Sequence, residues 1–226
     1  MTNMKKWKTI HGFVMLGSGI VFWFTQWGIV LVLTSIVSFL YFLSSEWPAL
    51  WKIHRYGGSA NWITLMRLLW LLLLFSISGG LSYGQIAFLL LILVLLDGAD
   101  GFIARWFHHK TSFGADFDME TDSLFVCFAS VLLFEKDLAG SWILLVGFMR
   151  YIFVVSKFFT GLNSLGEKRT KFGPAIAGIL FVAVIIPYIL KPGIYFPYLI
   201  GASILVSLSF AWSFYLLLRD NRKSQT

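Results

Sequence analysis

Residues 97–105 read Asp-Gly-Ala-Asp-Gly-Phe-Ile-Ala-Arg, and residues 114–122 read Gly-Ala-Asp-Phe-Asp-Met-Glu-Thr-Asp. The first stretch closes an apolar run long enough to cross a bilayer, and the second opens another. An Asp deep in a membrane helix costs roughly 2.5–3.5 kcal/mol on insertion scales, so Asp97, Asp100, Asp118 and Asp122 left bare would cost on the order of 10 kcal/mol. Something must offset that charge. A divalent cation with oxygen ligands is the simplest candidate.

Composition sets the class. Hydrophobic residues make up 58% of the 226 residues and charged ones 13%, and the mean hydropathy is +0.79. A soluble chain of this length has too little interior to hide that much apolar surface, whereas a polytopic membrane protein need not hide it. The length suits one bundle of short-looped helices. The net charge of +7 falls in alternate loops, as orientation signals do, which argues against nucleic acid and for a membrane. The same charge can attract anionic headgroups or phosphorylated substrates. Cys127 is the single cysteine, so no intrachain disulfide forms.

The spacing of apolar runs and breakers predicts an all-α, polytopic integral membrane helical bundle. Spans are expected at about 10–24, 27–43, 62–78, 85–105, 113–134, 141–160, 172–190 and 195–218, eight in all. Residues 1–61 then form a two-helix extension and a cytoplasmic connector, residues 62–218 a six-helix core, and residues 219–226 a polar tail. The connector, 44–61, reads as an interfacial amphipathic helix ending at Gly57-Gly58. Lys and Arg concentrate in the N-terminal tail, residues 44–61, 105–112 and 157–171, and the C-terminal tail; Lys136 and Lys191 alone lie in the opposite loops. Both termini are therefore expected in the cytoplasm, with the cell (inner) membrane as the location.

Geometry brings the acids together. Asp97 and Asp100 stand at i,i+3, and Asp118 and Asp122 at i,i+4, so each pair shares a helix face. The two helices are joined by a short turn. Asp97 lies eight residues, about 12 Å of rise, before Arg105, and Asp122 lies eight residues after Gly114. Asp97 is thus expected at the depth of Asp122, and Asp100 near Asp118. Converging carboxylates with no thiolate and no His suggest hard cations, Mg²⁺, Mn²⁺ or Ca²⁺, with room for two ions that orient a pyrophosphate. Gly101, Ala104 and Gly114 open the helix faces beside the acids. Arg105 is placed to pair with phosphate oxygens.

The string D-x-x-D-G-x-x-A-R-x8-G-x-x-x-D-x-x-x-D resembles the signature of the CDP-alcohol phosphotransferases, with every signature position filled at the right spacing. The resemblance covers about two-thirds of the chain, the six-helix core. It implies cleavage of a CDP-linked substrate, transfer of the phosphoryl-bearing half to an alcohol and release of CMP. It implies Mg²⁺ or Mn²⁺ (two ions) held by Asp97, Asp100 and Asp118 and bordered by Asp122, which takes the alcohol's proton. Gly101, Ala104, Arg105 and Gly114 would cradle the CDP portion. Asn61-Trp-Ile-Thr64-x-x-Arg67 resembles the P-N-x-x-T-x-x-R stretch that opens the core in many members, with Ala60 in place of the proline. The expected donor is CDP-diacylglycerol and the acceptor a small polar alcohol, in phospholipid biosynthesis among membrane lipids; a homodimer is compatible with this. Two alternatives stand beside it: phosphocholine or phosphoethanolamine transfer from a CDP-alcohol to diacylglycerol, and a divalent-cation transporter.

Other polar residues carry two readings each. Arg150, mid-span, needs an anionic partner: substrate phosphate on one reading, an intramembrane ion pair with Glu120 on the other. Lys168, Arg169 and Lys171 serve either as topology signals or as a phosphate pocket at the following helix N-terminus. Asp116 reads as solvated at the interface, Glu120 as structural, and His108-His109 as a solvated turn.

Overall fold

In the computed structural model of the protein, residues 3–45, 57–106, 112–162 and 172–225 are described; side chains are described for all of these except 3, 57–60, 99–106, 112 and 222–225. They form the helices α1 (Asn3–Thr25), α2 (Gly28–Ser45), α3 (Gly57–Ile77), α4 (Tyr83–Trp106), α5 (Ser112–Glu135), α6 (Trp142–Phe159), α7 (Gly173–Ile185) and α8 (Pro192–Gln225). No strand occurs among the described residues. Four helical stretches are long and apolar enough to cross a membrane: Gly28–Ser45, Asn61–Gly80, Trp142–Phe159 and Pro192–Asn221. The apolar stretches Tyr83–Gly98 and Gly173–Tyr188 are shorter. The protein is a polytopic membrane bundle. Its outward faces carry Phe24, Val37, Leu40, Leu69, Phe88, Leu95, Leu208 and Trp212, all exposed. Such an apolar exterior around an apolar core fits lipid as the solvent.

Two expectations about boundaries change. Gly57-Gly58 open α3 instead of closing an interfacial helix, while connector residues 46–56 lie outside the described residues. The span expected at 172–190 is interrupted: Pro187 sits in a short 3₁₀ turn, Ile186–Tyr188, after α7 has ended at Ile185. Pro has no N–H to continue the α ladder, so the chain tightens there instead.

The N-terminal helices pack into the bundle. Gly12 and Gly19, seven residues apart, lie on the face of α1 toward α6; a Cβ at Gly19 would stand 2.6 Å from the Phe148 ring, and one at Gly12 3.1 Å from Val154. Small residues permit this close approach of helices. Gly147 does the same between α6 and α5, where a Cβ would meet that of Ser130 at 2.7 Å. At one end of the bundle Trp7 stacks on Phe42 at 4.2 Å, Phe42 on Phe113 at 5.4 Å, and Trp7 Nε1 donates to the Ser38 carbonyl at 3.0 Å. At the opposite end the Tyr83 hydroxyl donates to the Lys136 carbonyl and that of Tyr195 to the Leu138 carbonyl. Hydroxyls inside helices, such as Thr121 and Ser123, donate to the carbonyl four residues back and so are satisfied without water.

A charge pair lies fully inside the bundle. Arg150 Nη2 on α6 is 2.6 Å from Glu120 Oε1 on α5, both residues being buried. Removing one partner of such a pair strands the other and typically costs about 3–5 kcal/mol, whereas replacing both with apolar groups is often near neutral. Glu120→Ala is therefore expected to lower the thermal midpoint of the purified protein sharply, and Glu120→Met with Arg150→Met to recover most of the loss. A Glu120→Ala protein as stable as wild type would contradict this pairing.

Candidate active site

Helix α3 brings polar residues into an apolar wall. Asn61, Thr64 and Arg67 are spaced i, i+3, i+6 and are all buried, in line with buried Leu68, Leu71, Leu74 and Phe75. Trp62, Met66, Leu69, Trp70 and Leu73 face outward. Arg67 is the one basic residue in the run 61–80. Buried in lipid or protein, its guanidinium stays charged and must meet anions.

It meets three. Arg67 Nη1 lies 2.9 Å from Asp97 Oδ1 on α4 and 3.0 Å from Asp118 Oδ1 on α5, and Nη2 lies 2.6 Å from Asp122 Oδ1. Side chains of Asp97 and Asp122 are 28% exposed and that of Asp118 is 35%, against 3% for Arg67. The guanidinium is thus the floor of the cluster, and the carboxylates form its open rim. One oxygen from each of the three acids lies within 4.8 Å of the others. Trans oxygens around an octahedral Mg²⁺ stand about 4.2 Å apart, so oxygens this close together are on the scale of a single ion's ligand shell. The donor set is all carboxylate oxygen, which fits a hard divalent cation. The expected convergence of Asp97 with Asp118 and Asp122 is the observed arrangement. The offset expected from a metal alone is supplied in part by the protein's own arginine.

Other site residues are placed as follows. Asp100, Gly101, Ala104 and Arg105 belong to α4, but their side chains lie outside the described residues, as do Lys168, Arg169 and Lys171 altogether and the His108-His109 turn. Gly114 sits in the first turn of α5. Asn61 is buried, and its Nδ2 has no hydrogen-bond partner among the described residues. Arg150 is paired with Glu120, away from the rim. Asp116, expected to be solvated, is 30% exposed and also takes Lys8 Nζ at 2.6 Å, tying the first helix to the N-terminal part of α5. Sequence reasoning missed that tie because the two residues lie 108 positions apart. It also missed Arg67 as the centre of the carboxylates; the isolated cation in an apolar run was the available signal.

A hollow of about 340 Å³ lined by Gly28, Phe75, Ser78 and Glu135 lies at the other end of the bundle and carries none of these groups.

Fold and site together define a helical membrane protein with a cluster of three carboxylates and one arginine built from three of its helices. Comparison with known proteins narrows this class. The family described as CDP-alcohol phosphatidyltransferase matches residues 58–215, which contain every one of these acids. The chain belongs to that family. Two relatives, each named CDP-diacylglycerol–glycerol-3-phosphate 3-phosphatidyltransferase, come from Rickettsia typhi and Rickettsia prowazekii. Each is 35% identical over 80 residues, 34% of this chain. The match spans 45% and 44% of the relatives' length, less than half of each.

Proposed function

We propose that the protein transfers a phosphatidyl group from CDP-diacylglycerol to a small polar alcohol and releases CMP, with a divalent metal, Mg²⁺ or Mn²⁺, at the carboxylate rim. The observation that carries this reading is the convergence of Asp97, Asp118 and Asp122 at one point between α4 and α5, within a match to the family over residues 58–215. The relatives' names make glycerol-3-phosphate the first acceptor to test.

Asp97, Asp118 and Asp122, with Asp100 one turn on from Asp97, would hold the metal. Magnesium or manganese there supplies charge neutralisation of the donor pyrophosphate and of the departing CMP phosphate. The protein's own groups do the rest. Asn61 Nδ2, buried and lacking an acceptor among the described residues, is available to the nucleotide. Gly101, Ala104 and Gly114 would leave room for it and Arg105 would pair with its phosphates, with Thr64 on the Asn61 face and Lys168, Arg169 and Lys171 as further cations for phosphate. The acceptor hydroxyl oxygen attacks the lipid-bearing phosphorus, the bond from that phosphorus to the bridging oxygen breaks, and the hydroxyl proton passes to Asp122. Asp122 carries two carboxylate oxygens, so one can face the metal while the other accepts that proton. The acyl chains enter laterally from the bilayer; the nucleotide and acceptor enter from the cytoplasm. The N-terminal pair α1 and α2 is an addition to the core.

Purified protein given CDP-diacylglycerol and an alcohol panel is expected to release CMP only with Mg²⁺ or Mn²⁺. Asp97→Asn, Asp100→Asn and Asp118→Asn are each expected to abolish release while the protein still inserts. Full CMP release in chelator would refute the metal assignment, and metal uptake into vesicles without CMP release would favour a transporter.

For Asp122→Asn the expectation is a fall in kcat of about 10²-fold or more, the usual scale for a lost general base, with donor affinity changing less. Near-normal kcat with lost donor affinity would make Asp122 a ligand only.

Eight spans with cytoplasmic termini predict that a reporter fused after Thr226 reads cytoplasmic. An extracytoplasmic reading would overturn the orientation.

A further inference from the structure

The guanidinium of Arg67 and a bound divalent ion call on the same three carboxylates. Arg67 Nη1 and Nη2 face Asp97, Asp118 and Asp122 at 2.6–3.0 Å, and these are the carboxylates that lie close enough together to ligate one metal. A cation entering the rim meets a positive charge already bonded to each ligand. Arginine cannot lose its proton to relieve this. Nor can its head reach water where it stands, because the side chain is 3% exposed. Withdrawal of the guanidinium from the carboxylates and its transfer to another anion is the remaining route. The pyrophosphate of a bound donor is such an anion, and planar guanidinium groups bind phosphate oxygens in pairs.

We propose that Arg67 is the resident counter-cation of the carboxylate cluster, which a divalent ion must displace, and that the displaced guanidinium then takes the donor's phosphates. This rests on the metal-dependent reading above and adds to it an order: the arginine holds three like charges together, and metal and donor exchange places with it. Arg67 is by this account a competitor for the metal as well as a binder of the donor. Its loss should therefore tighten metal binding, whereas a residue that merely props up the site would loosen metal binding when lost.

The test is Mn²⁺ binding without donor or turnover, read by electron paramagnetic resonance of free Mn²⁺ over the full-length protein in phosphatidylcholine nanodiscs. Arg67→Met keeps the length of the side chain and removes its charge. It is expected to bind Mn²⁺ about 10-fold or more tighter than wild type, and in chelator to unfold at a lower temperature than wild type. Mn²⁺ should restore that lost stability. Equal or weaker Mn²⁺ binding by Arg67→Met, with wild type binding normally, would overturn the proposal and leave the metal reading standing. Absence of Mn²⁺ binding by both proteins would remove the metal reading, and the proposal with it. Should Arg67→Met not be recovered in any buffer, Arg67→Lys decides. Its point charge cannot bridge three carboxylates, so Mn²⁺ should bind it several-fold tighter than wild type, and unchanged or weaker binding would refute competition.

Discussion

Three carboxylates and one guanidinium share a space a few ångströms across, within helices that present apolar side chains on almost every other face. Like charges at such separations repel strongly wherever water is scarce. The fold must therefore hold α3, α4 and α5 close enough for Arg67 to reach all three acids. Arg67 comes from α3, Asp97 from α4, and Asp118 and Asp122 from α5. Each helix contributes a charge that the others need, so the register of the three is set by electrostatics as well as by packing. Phe75 against Phe128 at 4.3 Å continues the α3–α5 contact toward the other end of the bundle.

The remaining helices position α5. Arg150 and Glu120 join α6 to the face of α5 turned away from the acidic rim. Lys8 joins α1 to Asp116, two residues before Asp118. Gly147, Gly12 and Gly19 let α5, α6 and α1 approach closely enough for these contacts. His11 and Ser38, paired at 2.7 Å, link α1 to α2 beside Tyr151 of α6. The two N-terminal helices thus reach the helix that carries Asp118 and Asp122, although the family match begins at residue 58.

Much of the site was legible because helical periodicity is local. The i,i+4 spacing of Asp118 and Asp122 fixes their common face, and the matched distances of Asp97 and Asp122 from the intervening turn fix their common depth. Helix existence was legible for the same reason, since apolar runs broken by Gly, Pro and charge leave few other readings. What periodicity does not state is which helix lies beside which. Arg67 is 51 and 55 positions from Asp118 and Asp122, and Lys8 is 108 from Asp116; each could have faced any neighbour. Arg150 illustrates the boundary well: its burial demanded an anion, but Glu120 and a substrate phosphate met that demand equally until α5 and α6 were placed.

The central claim is that the carboxylate rim between α4 and α5 binds a divalent metal that takes the pyrophosphate of a CDP-linked lipid. Anomalous scattering from crystals grown with Mn²⁺ and CDP-diacylglycerol tests it most directly. The account predicts manganese density among the Asp97, Asp118 and Asp122 carboxylates beside the bound donor, with Arg67 withdrawn from the acids. Donor bound elsewhere, or at the rim without manganese, would contradict it.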